Sequence, residues 1–296
     1  MNIRKKVFVV LIAAIISVTS LVNEGLAANG YKAEEWATII NLAGRQRMLT
    51  QKMSKEMLLV AAGMEADANR ASLKKTAALF GNTLKGLRKG NKELDLRPAK
   101  SSITKKTLQQ VGKIWIRFKK VVDKVVSGGK VPVQKVAELN LPLLKRMNVG
   151  VKLLEREAKN ELGGAGNTVI NYAGRQRMLT QKMSKEMLLI YLNHNKKETE
   201  ASLKKTTGWF GTTLQCLRDG GDVPYGKGKM TTVPVTADPA IKAQLDVVKG
   251  LWDEFKPLAN DISQENISKM ATLNLPLLKE MNKAVQMYAS AQHGKK

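Results

Sequence analysis

The chain has 296 residues, of which 50 are Lys or Arg and 25 are Asp or Glu, so its formal net charge is +25. This length is sufficient for two modest domains or one large domain with a sizeable core, and the positive charge favours anionic partners over cationic ones. A single cysteine, Cys216, excludes an internal disulfide, and no metal-ligand or haem-attachment spacing surrounds it.

The N-terminus has the three-part pattern of a cleavable secretory signal. Three basic residues precede an apolar run from Val7 to Val18, and small residues follow as far as Ala28. We assign residues 1–28 to this signal. The alternative is a retained membrane anchor, although the apolar run is short for a span. The sequence therefore predicts an exported protein, most simply located in a bacterial periplasm.

The remainder of the chain is one module used twice. The stretch "AGRQRMLTQKMSKEMLL" occupies residues 43–59 and recurs without a change at 173–189. Shorter matches pair 71–76 with 201–206 ("ASLKKT") and 139–148 with 273–282 ("LNLPLLKRMN" and "LNLPLLKEMN"). The second copy also gains the Gly-, Pro- and Thr-rich segment 219–240, which we predict to be a surface loop. The predicted modules are residues 29–162 and 163–296.

Each module has four segments with helical periodicity. In the first module they span about 32–63, 66–90, 102–127 and 133–160, and Gly, Pro and Ser lie between them. The predicted fold class is therefore all-α, with two tandem four-helix up-and-down bundles. Pro142 and Pro276 fall inside the fourth pattern, where each is predicted to kink or restart the helix. The junction 160–167 is either a hinge or a weak point in one continuous helix.

The first helix of each module is unusually well retained. Within 41–59 the two copies differ only at Leu42 versus Tyr172, whereas no aligned position is the same between 60–70 and 190–200. Both copies have drifted for the same time, so the contrast needs a physical cause. Burial alone is insufficient because cores tolerate swaps of similar volume. The pattern favours a helix that packs within its own bundle and also faces a second partner.

One face of this helix suggests where that partner lies. Helical spacing aligns Ile40, Gly44, Arg47, Gln51, Ser54 and Leu58. Glycine inside a helix costs about 1 kcal/mol relative to alanine, so Gly44 indicates a close approach by a ligand or another backbone. Arg47 adds a planar donor fork suited to oxyanions. An arginine on a helix is more often a solvated surface charge, and that alternative stays open. The candidate ligand-binding residues are Gly44, Arg47, Gln51, Gly174, Arg177 and Gln181.

The same helix resembles the first helix of nitrate/nitrite-sensor input domains. It is more similar still to the N-terminal domain of type IV pilus chemotaxis transducers, the PilJ type, which is a NarX-like periplasmic helical bundle. The shared pattern is Asn-x-Ala-Gly-x-x-Arg-Met, present as "NLAGRQRM" at 41–48 and "NYAGRQRM" at 171–178 and followed by "LTQKM". The resemblance covers both modules.

This resemblance implies an anion held between two copies of the helix at a dimer axis. By position, the residues that hold it are Gly44 with Arg47 and Gly174 with Arg177. One chain with two motif helices would build such a site internally, and a homodimer that pairs like modules is the alternative. The residues after the motif differ from those of true nitrate sensors, so the identity of the anion stays open.

The sequence therefore predicts a soluble periplasmic binding module for a small, nitrate- or nitrite-like oxyanion. No histidine-kinase or methyl-accepting pattern follows the second module, so we expect a separate membrane receptor or transducer to read it. A scaffold module that docks a protein is the alternative. Specific nucleic-acid binding is not expected, because aromatic residues make up 5% of the chain and no stacking platform is apparent. No catalytic, metal or cofactor pattern is present, so we predict no enzyme.

Overall fold

The computed structural model describes residues 30–163, 167–226 and 229–293. The predicted signal segment, 1–28, lies outside these ranges. Residues Ala33–Lys296 form one compact unit, so the two modules share an interior. Nowhere in the described ranges is a helix long and apolar enough to cross a membrane.

Eight helices make up the described part of this unit. In the first module they are α1 (Ala33–Ala61), α2 (Ala66–Lys89), α3 (Ser102–Val126) and α4 (Val133–Leu162). In the second they are α5 (Asn167–Tyr191), α6 (Lys196–Asp219), α7 (Pro239–Leu258) and α8 (Gln264–His293). The predicted class, all-α with tandem four-helix bundles, is confirmed. The helix bounds predicted for the first module agree with the structure to within two residues.

The segment inserted in the second module departs from the predicted loop, because it contains a β-hairpin. Strand β1 (Gly221–Gly226) pairs antiparallel with β2 (Lys229–Val233). Val223 and Val233 are fully buried, whereas Asp222 and Thr232 are exposed and hydrogen-bonded to each other at 2.6 Å. This alternation suits a half-buried strand. The sequence predicts a loop here because the segment is rich in Gly and Pro, which are uncommon in strands.

Neither internal proline restarts its helix. Helix α4 runs through Pro142 and α8 through Pro276, and buried leucines such as Leu143 and Leu277 hold the adjoining turns in the core. Helix α4 ends at Leu162 and is followed by Gly163, whose left-handed φ of 69° is typical of the residue after a helix C-terminus. Most of the remaining junction lies outside the described residues.

The motif helices α1 and α5 occupy the centre and pack against each other. Helix α1 also packs against α2 and α4, and α5 against α6 and α8; further contacts join α1 to α8 and α4 to α5. Each bundle has its own aromatic pair, Phe80 with Trp115 and Phe210 with Trp252, both at centroid distances of 4.6 Å. The second face predicted for α1 is buried along its whole length.

Two glycines allow a test of packing inside the helices. A Cβ on Gly86 would lie 2.9 Å from Leu96 Cδ1 and 3.0 Å from Asn91 Cβ, whereas a Cβ on Gly208 would meet nothing within 4 Å. We expect Gly208→Ala to raise the free energy of unfolding by about 0.5–1 kcal/mol through helix propensity. Gly86→Ala should lower it by about 1 kcal/mol or more. Denaturant titration checks both, and effects of the same sign would contradict this packing.

Candidate functional site

The two motif helices meet through reciprocal contacts. Arg47 Nη2 donates a hydrogen bond to Asn171 Oδ1 at 2.6 Å, and Arg177 Nη2 donates to Asn41 Oδ1 at 2.9 Å. Asn41 and Asn171 occupy the same position in the two repeats, so the arginine of each motif donates a hydrogen bond to the asparagine of the other motif. Such an exchange is the signature of a two-fold interface, here formed inside a single chain.

A second asparagine holds each guanidinium group from within its own module. Arg47 Nη1 donates to Asn148 Oδ1 at 3.0 Å, and Arg177 Nη1 donates to Asn282 Oδ1 at 2.8 Å. These asparagines end the retained segments on α4 and α8. Four neutral amides therefore fix the orientation of the two arginines, and none of the four supplies a negative charge.

Both arginines are almost completely buried, with 2% and 1% of their surfaces exposed. Desolvation lowers the pKa of Arg47 to about 10, and that of Arg177 to about 9 with a further contribution from the positive charges of Arg45 and Arg47. Both values lie above neutrality, so both groups are charged. The Nε atoms of both lack a hydrogen-bond partner in the described part of the chain. Buried charges in this state favour an incoming anion.

The motif glycines make room for the two guanidinium groups. A Cβ on Gly44 would lie 3.4 Å from Arg47 Nη2 and 3.9 Å from Arg177 Nη2, and a Cβ on Gly174 would lie 3.3 Å from Arg177 Nη2. Nitrogens from both repeats thus lie near one point beside Gly44. Four of the six candidate residues, Gly44, Arg47, Gly174 and Arg177, are brought together.

The two glutamines belong to a different polar layer. Gln51 Nε2 donates to Thr50 Oγ1 at 2.9 Å, and Gln181 Nε2 donates to Asn274 Oδ1 at 2.8 Å. Both side chains are fully buried. Their hydrogen bonds do not involve the guanidinium groups, so the structure places them beside the arginine pair along the helices rather than in its hydrogen-bond network.

Two lysines that sequence reasoning did not select lie in this second layer. Lys55 Nζ donates to Asn274 Oδ1 at 2.6 Å, and Lys185 Nζ donates to Asn140 Oδ1 at 3.2 Å, so each crosses to the other module. Burial lowers the pKa of Lys55 to about 7 and that of Lys185 to about 8. One indication of this layer is present in the sequence: the stretch "LNLPLLK", which contains Asn140 in one repeat and Asn274 in the other, is the same on both fourth helices.

Two further polar residues of the motif helix have partners within its own bundle. Gln46 Nε2 donates to the Phe80 carbonyl at 2.8 Å, and Lys52 contacts Glu56 and Thr76. The second module repeats each contact at the equivalent positions. Packing within the bundle thus explains the retention of Gln46 and Lys52. Such packing does not explain why both repeats retain a buried arginine beside a glycine.

One carboxyl group makes the arginine pair asymmetric. Burial raises the pKa of Glu155, on α4, to about 7, while the charge of Arg47 and a hydrogen bond from Asn171 partly oppose that rise. In the register that aligns 139–148 with 273–282, the equivalent residue is Ala289. The acid therefore acts on Arg47 in one half and has no equivalent at Arg177. Comparison of the two repeats does not indicate Glu155, because only one repeat has a carboxyl group at this position.

Metal-ligating groups and the single cysteine are two further candidates for a site in the described ranges. They contain no group of three or more His, Cys, Asp or Glu side chains placed to hold a metal ion. Cys216 is buried, and desolvation with nearby Asp222 and Asp219 raises the pKa of its thiol, which makes the thiolate less accessible.

Comparison with known proteins gives a family match in both repeats. The model of the PilJ family, described as type IV pili methyl-accepting chemotaxis transducer N-term, matches residues 31–139 and 164–275, about three quarters of the chain. The methyl-accepting chemotaxis protein McpN of Pseudomonas aeruginosa is 29% identical over 120 residues, which are 40% of this chain and 22% of that protein. The chain thus matches about a fifth of the length of this curated relative.

A solved structure, the ligand-binding domain of the P. aeruginosa nitrate receptor McpN, is 28% identical to this chain. The match covers 43% of this chain and 98% of that domain, with a TM-score of 0.37.

Glu155 predicts a pH dependence. Its folded-state pKa is raised above the ordinary 4.5 to about 7, so its favourable contribution to folding is complete below the unfolded pKa and is lost as the pH rises through about 7. We therefore expect the free energy of unfolding, measured by denaturant titration at constant ionic strength, to fall between about pH 5 and pH 7 as the unfolded chain loses this proton before the folded one.

Glu155→Ala is the matched variant, because the second module already has Ala289 there. It should remove this fall in stability and leave the opposite dependence caused by Lys55 and Lys185, whose lowered pKa values of about 7 and 8 make the free energy of unfolding decrease as the pH falls through that range. An unchanged pH profile in the variant would show that Glu155 is not the source of the dependence.

Proposed function

Since the chain belongs to the family of type IV pili methyl-accepting chemotaxis transducer N-terminal domains, we propose that it is an exported, non-enzymatic sensory protein that binds a small oxyanion between Arg47 and Arg177. The proposed site consists of Gly44, Arg47, Gly174 and Arg177, with Gln51 and Gln181 in the adjacent layer. Nitrate and nitrite are the proposed ligands. The relative McpN is described as a nitrate receptor, which supports this choice.

The observation that supports the proposal most strongly is the burial of two guanidinium groups on neutral partners. Each is 2% exposed or less, and the side-chain hydrogen bonds described for each go to asparagine amides. Repulsion between them destabilises the ligand-free protein. A planar oxyanion between them would remove that repulsion and accept charge-assisted hydrogen bonds, each worth about 1.5–3 kcal/mol.

The reciprocal contacts also support a site complete within one chain. Both arginines reach across the contact between α1 and α5, so a second copy of the chain is not needed to assemble the pair. We therefore propose one anion per chain and an affinity independent of protein concentration. A membrane-bound receptor or transducer would then detect the liganded protein.

Replacement of either arginine tests the site directly. Nitrate should raise the unfolding temperature of the native chain saturably, because a ligand at 100 times its Kd adds about 2.7 kcal/mol to the free energy of unfolding. Arg47→Gln and Arg177→Gln should each abolish this response. Arg177→Gln should keep most of the ligand-free stability, because it removes one of two repelling buried charges, whereas Arg47→Gln also removes the counter-charge of Glu155 and should be the less stable of the two variants.

Arg117→Gln on α3 is the control, because Arg117 is exposed and the variant has the same change in net charge. It should keep the full nitrate response. A response that survives both Arg47→Gln and Arg177→Gln would contradict the assigned site. The absence of a response to nitrate, nitrite, sulfate and phosphate in the native chain would contradict anion sensing and favour the scaffold alternative.

Gly44→Ala separates binding from folding in a second way. The added methyl group would lie 3.4 Å from Arg47 Nη2, in the space proposed for the anion, while alanine improves helix propensity by about 1 kcal/mol. We expect nitrate affinity to fall at least tenfold with little loss of ligand-free stability, as measured by calorimetry and thermal unfolding. Affinity equal to that of the native chain would show that the anion lies elsewhere.

A further inference from the structure

A cleft between the modules leads from the surface to Arg47. It encloses about 420 Å³ and is partly open to solvent. Its walls come from α4 of the first module and from α5 and α6 of the second, and its described lining includes leucines, Met178 and the half-buried Trp209. Volume and lining are typical of a site for a small organic molecule.

The charge of the cleft lining is mainly positive. Six cationic side chains line it: Arg47, Lys145, Lys152, Arg175, Lys182 and Lys205. Lys182 is paired with Glu186, and Glu155 acts on Arg47 and Lys152, which leaves the positive charges in excess. No carboxylate is among the described lining residues. Low-dielectric walls between charges of one sign strengthen the field inside a cleft, so an organic ligand here is expected to be an anion.

Trp209 and the β-hairpin fix part of this charge in place. The guanidinium of Arg175 lies 5.2 Å from the centroid of the Trp209 ring, and Lys205 Nζ lies 4.8 Å from it. Arg175 Nη1 also donates to the carbonyl of Pro224 in β1 at 2.9 Å. Cation–π contacts of this kind hold long side chains in defined positions. The cleft is therefore a built site rather than a group of solvated lysines.

The other half of the molecule lacks this construction. In the repeat register the equivalent of Trp209 is Leu79, and the equivalent of Lys152 is Gln286. The corresponding cleft is lined by Arg45 and Lys279 together with the acidic Glu280, and Arg177 is not among its described lining residues. Within the described residues, the first module thus has no equivalent of the Trp209 cleft.

We propose that the Trp209 cleft binds a small organic carboxylate with an apolar body. The carboxylate would pair with the cations that Trp209 positions, and the body would cover the ring and the apolar wall. A bare inorganic anion would leave most of that wall in water. The inference does not depend on an anion at the arginine pair.

The test uses cyclohexanecarboxylate as the probe and acetate, which has the same head group without the body, as its control. Trp36, Trp115 and Trp252 are buried, but Trp252 lines a second cleft, so a saturable change in tryptophan fluorescence reports Trp209 only if Trp209→Leu abolishes it. We expect this change with cyclohexanecarboxylate in the native chain and in Arg177→Gln, and at least tenfold weaker binding of acetate. Equal responses to both anions at matched ionic strength would overturn the proposal.

Trp209→Leu is the decisive variant, because the first module folds with leucine at this position. Calorimetry should show cyclohexanecarboxylate affinity at least tenfold lower than in the native chain, with helical content and nitrate binding unchanged. Unchanged cyclohexanecarboxylate affinity would overturn the proposal. Arg177→Gln gives the opposite pattern, loss of nitrate with retention of the carboxylate, so failure at one site is distinguishable from failure at the other.

Discussion

The burial of two positive charges against each other is the constraint on which the centre of this molecule depends. Arg47 and Arg177 cross between the motif helices and end on amide oxygens. Their burial is tolerated because four asparagines orient them and two glycines leave them space. The same arrangement leaves a net positive charge in a region of low dielectric, which is unfavourable for the free protein and favourable for an anion complex.

Fusion of two modules in one chain permits differences that a symmetric dimer does not. In a homodimer every substitution appears twice, on both sides of the axis. Here the position of Glu155 is occupied by Ala289 in the other repeat, and that of Trp209 by Leu79. The pair of arginines has remained symmetric while its surroundings have diverged. One half consequently has a titratable acid near its arginine and an aromatic, cationic cleft beside it.

The sequence was sufficient for the fold and for part of the candidate site. Helical periodicity and turn residues predicted the helix bounds, and the unchanged repeat identified the helices that meet at the centre. Sequence alone did not reveal Asn148 and Asn282 as partners of the arginines, because residues about 100 positions apart are joined only by tertiary packing. Glu155 and Trp209 were not predicted for a different reason: their equivalents in the other repeat are Ala289 and Leu79, so the repeat pattern does not indicate them.

The central contacts also join residues far apart along the chain, which affects how the protein folds. Arg47 and Asn171 are separated by 124 residues, and Lys55 and Asn274 by 219. During synthesis, α1 is complete long before α5 exists, so its second face has no partner in the first bundle alone. Non-local contacts of this kind slow folding because a large loop must close first. The first bundle is therefore expected to reach its final packing only when the second arrives, and the two halves should unfold as one cooperative unit.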